Sequence, residues 1–279
     1  MRFGVHTSIA GGIDKAAIRA AELECDTFQI FSTNPRGWKS KIISKQEAND
    51  LANNLDKYNL GPIVIHTPYL INLASPKDDL YEKSIKALIE GVKRADLIKA
   101  KYMVLHPGSH TGSGVDKAID RIASALEQVI KESDPKVMIL LENVAGAGTA
   151  IGKSIEELAQ IIDKVDNSEH LGICYDTCHG FAAGYDIRDK QKLRNLIEDI
   201  ERKITLDKLG VIHANDSLGE LDSNKDRHQH IGQGEIGLEG FRNLVNHPKL
   251  KDKLFILETP VNEDGDDQRN LATIRSLVE

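Results

Sequence analysis

Eight short apolar runs, each followed by an amphipathic stretch of helical length, punctuate the chain and narrow the folds open to it. The runs are RFGVH (2–6), DTFQIF (26–31), PIVIH (62–66), YMVLH (102–106), VMILLEN (137–143), LGICYD (171–176), GVIHAN (210–215) and LFILET (254–259). Helices are expected at 13–24, 44–58, 78–100, 115–132, 154–166, 189–203, 238–246 and 266–278, with Ser44 and Ser154 as N-cap candidates. A continuous apolar run fits a strand covered on both faces, and strands alternating with helices build a parallel sheet. Eight such units favour a closed (β/α)8 TIM barrel over an open doubly wound sheet. Gly11-Gly12 follows the first run but lacks the G-x-G-x-x-G spacing of a dinucleotide site. No linker or composition break divides the 279 residues, so one domain spanning 1–279 is expected.

Six of these runs reach a metal-binding residue type at the carboxyl end: His66, His106, Glu142, Asp176, His213 and Glu258. Parallel strands present their carboxyl ends on one face, so the six side chains would converge on one mouth. Singly, each is weak. A strand-end His is more often a hydrogen-bonded structural residue, and a strand-end carboxylate is commonly a helix cap or a surface group. Together they crowd ionisable groups into a partly buried space, where carboxylates need a cation. Two further motifs extend the set. YDTCHG adds His179 three residues after Asp176, and DRH adds Asp226 and His228, two apart and so able to point the same way in an extended segment. Nine candidates exceed the needs of one catalytic ion, and a carboxylate can bridge two, so two or three cations is the natural count.

Imidazole with carboxylate and no thiolate suits zinc or manganese in an open catalytic site. Such a cluster points to a reaction at a phosphate, where cations clamp the attacking and leaving oxygens. Cys25, Cys174 and Cys178 cannot form a fully paired disulfide framework, and no second Cys pair completes a thiolate site, so all three read as structural. The formal charge of −7 argues against a broadly basic nucleic-acid binder. It leaves local fields open, and bound cations would reverse the sign at a carboxylate-rich mouth. No run approaches a membrane span, and MRFGVHTSIAGG lacks the apolar core of a signal peptide, so a cytoplasmic location without a membrane partner is expected.

At these points the sequence resembles the endonuclease IV family of barrel-fold apurinic/apyrimidinic endonucleases. The matching pieces are GVHTSIAGG, FSTNPRGW, HTPYLIN (66–72), LHPGSH (105–110), LENVAGAG (141–148), YDTCHGFAAGYD (175–186), HANDS (213–217), SNKDRHQHIGQGEIG (223–237) and LETP (257–260). They run in order from one end of the chain to the other. The resemblance implies three zinc ions: one held by His66, His106 and Glu142, a second by Glu142, Asp176, His213 and Glu258, a third by His179, Asp226 and His228. Manganese suits one or more of these positions as well. It implies hydrolysis of double-stranded DNA 5′ to an abasic site, leaving a 3′-hydroxyl and a 5′-deoxyribose phosphate, with trimming of blocked 3′ ends. A metal-bridging hydroxide would be the nucleophile, and Glu142 and Glu258 the catalytic carboxylates.

The resemblance also places Arg36, Tyr69 and Leu70 at the DNA, where an Arg can fill a vacated stack and an apolar wedge can kink the duplex. Trp38 shares the loop of Arg36. Turning out a nucleotide that has no base costs less than turning out a stacked one. One departure is Leu218, where the family often has Lys. His6, His110 and His230 are expected to orient the ligands rather than join them. A monomer suffices for a single DNA-facing mouth.

Two other readings compete. A metal-dependent sugar isomerase or epimerase uses the same kind of barrel, and fold alone does not separate the two. The set His179, Asp226 and His228, with the Arg36 and Tyr69 loops, is what such an enzyme has no need for. A catalytically silent binder of damaged DNA would have no reason to keep all nine ligands.

Overall fold

The structure is a computed structural model that describes residues 1–38 and 42–279. Its barrel strands are β1 Arg2–Val5, β2 Phe28–Phe31, β3 Ile63–His66, β4 Tyr102–Leu105, β5 Met138–Glu142, β6 Leu171–Asp176, β7 Leu209–His213 and β8 Leu254–Leu257. All pair in parallel with their sequence neighbours from β2 to β8, and β8 returns to β1. The seam between β1 and β2 closes through a parallel bridge of His6 with Gln29 and a Thr7 N–H bond to the Gln29 carbonyl at 2.8 Å. The TIM barrel expected from the sequence is therefore the observed fold.

Side chains alternate across a strand, and that period sorts each apolar run into two cores. Val64, Val104, Leu140, Cys174, Val211, Leu254 and Ile256 fill the barrel interior. Their neighbours, among them Ile65, Met103, Leu141, Ile173, Ile212 and Phe255, face outward and pack with helical residues such as Leu88, Ile122, Leu126, Leu158 and Phe241. Stepping two residues on from the interior positions gives the mouth: Val64 leads to His66, Val104 to His106, Leu140 to Glu142, Cys174 to Asp176, Val211 to His213 and Ile256 to Glu258. His106 and Glu258 lie one residue beyond β4 and β8 but keep this inward parity.

The outer helices are α1 Ile13–Glu22, α2 Lys45–Tyr58, α3 Asp78–Leu97, α4 Val115–Ser133, α5 Ile155–Asp163, α7 Lys190–Lys203, α8 Gly237–Val245 and α9 Asp266–Ser276, with a short α6 Thr177–Ala182 at the mouth. Ser44 forms a full capping box with Glu47. Ser154 caps α5 by accepting the Glu157 N–H, but the Glu157 carboxylate turns instead to the N–H groups of Gly152 and Lys153. No helix among the described residues is long and apolar enough to cross a membrane.

Candidate metal centre

The nine residues singled out from the sequence meet at the carboxyl end of the barrel. Their donor atoms fall into His66, His106 and Glu142; Glu142, Asp176, His213 and Glu258; and His179, Asp226 and His228, with all atoms of each set within 4.8 Å of one another. Glu142 belongs to two sets because its oxygens face opposite ways. Oε2 lies 3.1 Å from His66 Nε2 and 3.0 Å from His106 Nε2, whereas Oε1 lies 2.9 Å from His213 Nδ1. A carboxylate so placed can bridge two cations.

Two loop devices bring in the third set. Asp176 caps α6 by accepting the His179 N–H at 2.8 Å, and the single turn carries His179 over the mouth. A two-residue antiparallel pairing of Asp216–Ser217 with His228–Gln229 folds the long seventh loop back, bringing Asp226 and His228 to His179. His179 Nε2 is 3.3 Å from Asp226 Oδ2, and His228 Nε2 is 3.4 Å from Asp226 Oδ1. Glu142, Asp176 and His213 are wholly buried, while the Asp226 side chain is 51% exposed, so the third set forms the outer rim.

Hydrogen bonds behind the rings decide which nitrogen is offered. His66, His179 and His228 give Nδ1–H to the carbonyls of Thr67, Asn143 and Glu258, leaving Nε2 for the mouth. His213 is reversed: Nε2–H goes to Gln29 Oε1 at 2.9 Å, leaving Nδ1. The carboxylates are braced as well. Asn215 donates to Asp176 Oδ2 and accepts the Glu258 N–H, both at 2.7 Å. Asn143 accepts the Asp176 N–H at 2.7 Å.

Charge at the mouth is tightly coupled. Burial opposes charge on His66, but Glu142 and Glu258 outweigh it and hold the imidazole above its usual range. Burial is likewise outweighed at His179 by Asp176, Asp226 and Glu142, and at His213 by the carboxylates of Glu258 and Glu142, so both are held well above that range. Burial would raise Glu142, yet His213 and His106 hold it well below the carboxylate range. Glu258 and Asp226 are depressed in the same way, chiefly by His213 and His179 respectively. Histidines thus serve as the counter-charge to buried carboxylates, a role a cation fills better because it binds both. The fit is supported by His228 Nε2, which is buried without a hydrogen-bond partner beside Asp226 and Asp176. Imidazole nitrogen and carboxylate oxygen are the donors of a catalytic divalent cation.

The remaining candidates are placed as follows. Tyr69 is 62% exposed over the mouth, its ring 5.9 Å from His66 and 6.5 Å from His106. Leu70 beside it is half-buried, and Arg36 is exposed on the loop after β2. Trp38 is half-buried and lies beneath Lys83 of α3, whose Nζ is 4.4 Å from the ring. Leu218 is exposed. His6 does brace a candidate ligand, Glu258, at 3.1 Å. His110 and His230 are used otherwise: His110 Nδ1 accepts the N–H groups of Gly112 and Gly114, and His230 pairs with Asn270. Burial pushes the Cys174 and Cys178 thiols up to about 12. Their sulfurs nevertheless lie within 4.8 Å of donor atoms, Cys174 with Glu142 and His213 and Cys178 with Asp176 and His228. Sequence reasoning passed over Gln29, Asn143 and Asn215. The signal for Gln29 was present, a lone amide inside the apolar run DTFQIF.

Comparison with known proteins places this arrangement. A family model described as Xylose isomerase-like TIM barrel matches residues 18–277. A Probable endonuclease 4 of Halothermothrix orenii is 53% identical over 260 residues, covering 93% of this chain and 94% of that one. The crystal structure of endonuclease IV from Thermus thermophilus superposes with a TM-score of 0.89 at 34% identity, covering 99% and 98% of the two chains. A D-tagatose 3-epimerase-like protein, at 22% identity and a TM-score of 0.75 over 99% and 97% of the chains, shares the fold alone. With half its residues matched to one of these relatives and a solved member covering nearly its whole length, the chain belongs to the endonuclease IV family.

Proposed function

We propose that this chain, one barrel over residues 1–279, hydrolyses the backbone of duplex DNA on the 5′ side of abasic sites. The products would be a 3′-hydroxyl and a 5′-deoxyribose phosphate, and the same site would trim blocked 3′ ends. The observation that carries this reading is Glu142, whose two oxygens face two separate donor sets at one mouth while a third set stands at the rim. In this reading His66, His106 and Glu142 hold one zinc, Glu142, Asp176, His213 and Glu258 a second, and His179, Asp226 and His228 a third, with manganese suited to the same donors. Bound cations would supply an activated water near neutral pH and neutralise charge on the phosphate. Glu142 and Glu258 would set where the reacting phosphate lies, and the open rim at Asp226 and His228 would admit it. Tyr69 and Leu70 would press the duplex as a wedge, and Arg36 would enter a stack that lacks a base, a reading supported by the exposure of Tyr69 and Arg36. The sugar-isomerase reading gives the third donor set and the exposed Tyr69 no task.

The test is nicking of a duplex with one defined abasic site, beside an intact duplex, before and after prolonged chelation. Cutting of the lesion strand alone, on its 5′ side, lost on chelation and rescued by zinc, is the expected result. Fully metal-loaded protein that leaves the lesion uncut would refute the proposal. Glu142→Gln should lose most turnover, by at least about 100-fold, while circular dichroism shows the fold retained. Near-normal turnover in that variant would sink the bridging role.

A further inference from the structure

The barrel seam holds a group that no strand-end motif announced. Gln29, on β2, is fully buried, and its amide stands between two members of the second donor set. Its Oε1 accepts from His213 Nε2 at 2.9 Å, and its Nε2 donates to Glu258 Oε1 at 2.6 Å. His6, across the seam on the residue after β1, has Nδ1 3.1 Å from the same Glu258 oxygen. The amide has one satisfactory orientation. Turned over, its NH2 would face the His213 N–H and its oxygen would face a carboxylate, two repulsions at an amide that is itself fully buried.

We propose that Gln29 is a positioning residue: from the barrel seam it fixes His213 in the tautomer that offers Nδ1 and turns Glu258 to offer Oε2, and so holds the second donor set ready for a cation. The two freed atoms are the ones that meet, His213 Nδ1 lying 3.4 Å from Glu258 Oε2 and 2.9 Å from Glu142 Oε1. A neutral amide suits the task, because it supplies an acceptor to one ligand and a donor to the other without adding a further negative charge. Met at this position would fill a similar volume while leaving His213 Nε2 without its acceptor and Glu258 Oε1 with His6 in place of two partners.

This inference rests on the metal centre proposed above, so its test separates the two. Zinc bound per chain is measured for the wild type and Gln29→Met as free zinc is set by a chelator buffer. The variant should need roughly 10- to 100-fold more free zinc to fill one of its sites, with the others little changed. In the zinc-loaded wild type, long-range proton–nitrogen spectra should show His213 protonated at Nε2. A variant titration superimposable on a zinc-binding wild type, or His213 protonated at Nδ1, would overturn the role of Gln29 alone. A wild type that takes up no zinc would overturn the metal centre and this inference together. The tautomer measurement decides by itself should the variant not fold.

Discussion

Asp216 is wholly buried three residues after His213, and its carboxylate gathers the loop that delivers Asp226 and His228. Oδ1 accepts from the N–H groups of Ser217 and Ile236, at 2.8 and 3.0 Å, and Oδ2 from those of Gly232 and Gly234, also at 2.8 and 3.0 Å. Gly237 N–H approaches both oxygens. Asp216→Asn keeps the shape but must turn an NH2 group toward one of these donor pairs, stranding at least two buried N–H groups. Each such loss costs about 1–3 kcal/mol, so the variant should unfold about 3 kcal/mol more easily. Urea titration of the metal-stripped protein measures this, and an unchanged midpoint would count against the arrangement. The zinc retained at the rim should fall as well, since the loop that presents Asp226 and His228 is no longer gathered.

The seam between β1 and β2 shows what an element demands of its residues. Gly4 faces the backbone of Thr27 so closely that a Cβ there would overlap the Thr27 carbonyl group. Backbone on a neighbouring strand cannot swing aside as a side chain does. Gly4→Ala should therefore force the strands apart at a cost of about 2–3 kcal/mol, read by thermal or urea unfolding. Stability equal to the wild type would mean that the seam has slack. Much of the element plan was legible in the chain, because period-two strands and capped amphipathic helices are local patterns: the eight strands and eight outer helices lie where the runs place them, with ends differing by a few residues. The convergence of the candidate ligands was legible for the same reason, since strand parity carries Val64 to His66 and Leu140 to Glu142. What was not legible is non-local or too short to have a period. The turn Thr177–Ala182 and the pairing of Ser217 with His228 each involve only a few residues. Asp216 draws its partners from up to 21 positions away. The brace at Gln29 exists only once β2 meets β1, β7 and β8 across a closed barrel.

At the scale of the whole molecule, the mouth joins six strands, so its charge state bears on the stability of the barrel. In metal-stripped protein, His66, His179 and His213 have raised folded-state values, so their stabilisation is complete below the unfolded imidazole value of about 6.5 and is lost as pH rises through the folded values. Glu142, Asp226 and Glu258 have depressed values, so theirs is complete above an unfolded carboxylate value of about 4 and is lost as pH falls through the folded values. The two windows overlap between about pH 4 and 6.5, and there the stripped protein should be most stable with respect to these groups. Above that range the stabilisation declines, and once pH passes the folded values the imidazoles discharge and leave buried carboxylates without counter-charge. A bound cation reverses the alkaline side, because it takes up neutral imidazole and charged carboxylate together and is displaced by protons instead. The gain in melting temperature on adding zinc should therefore be small near pH 5 and grow steadily toward pH 8. Calorimetry of stripped and reconstituted protein across that range, at fixed free zinc, reads the difference directly. A stripped protein most stable at pH 8, or a zinc-dependent gain that shrinks as pH rises, would show that these histidines do not carry the counter-charge of the mouth.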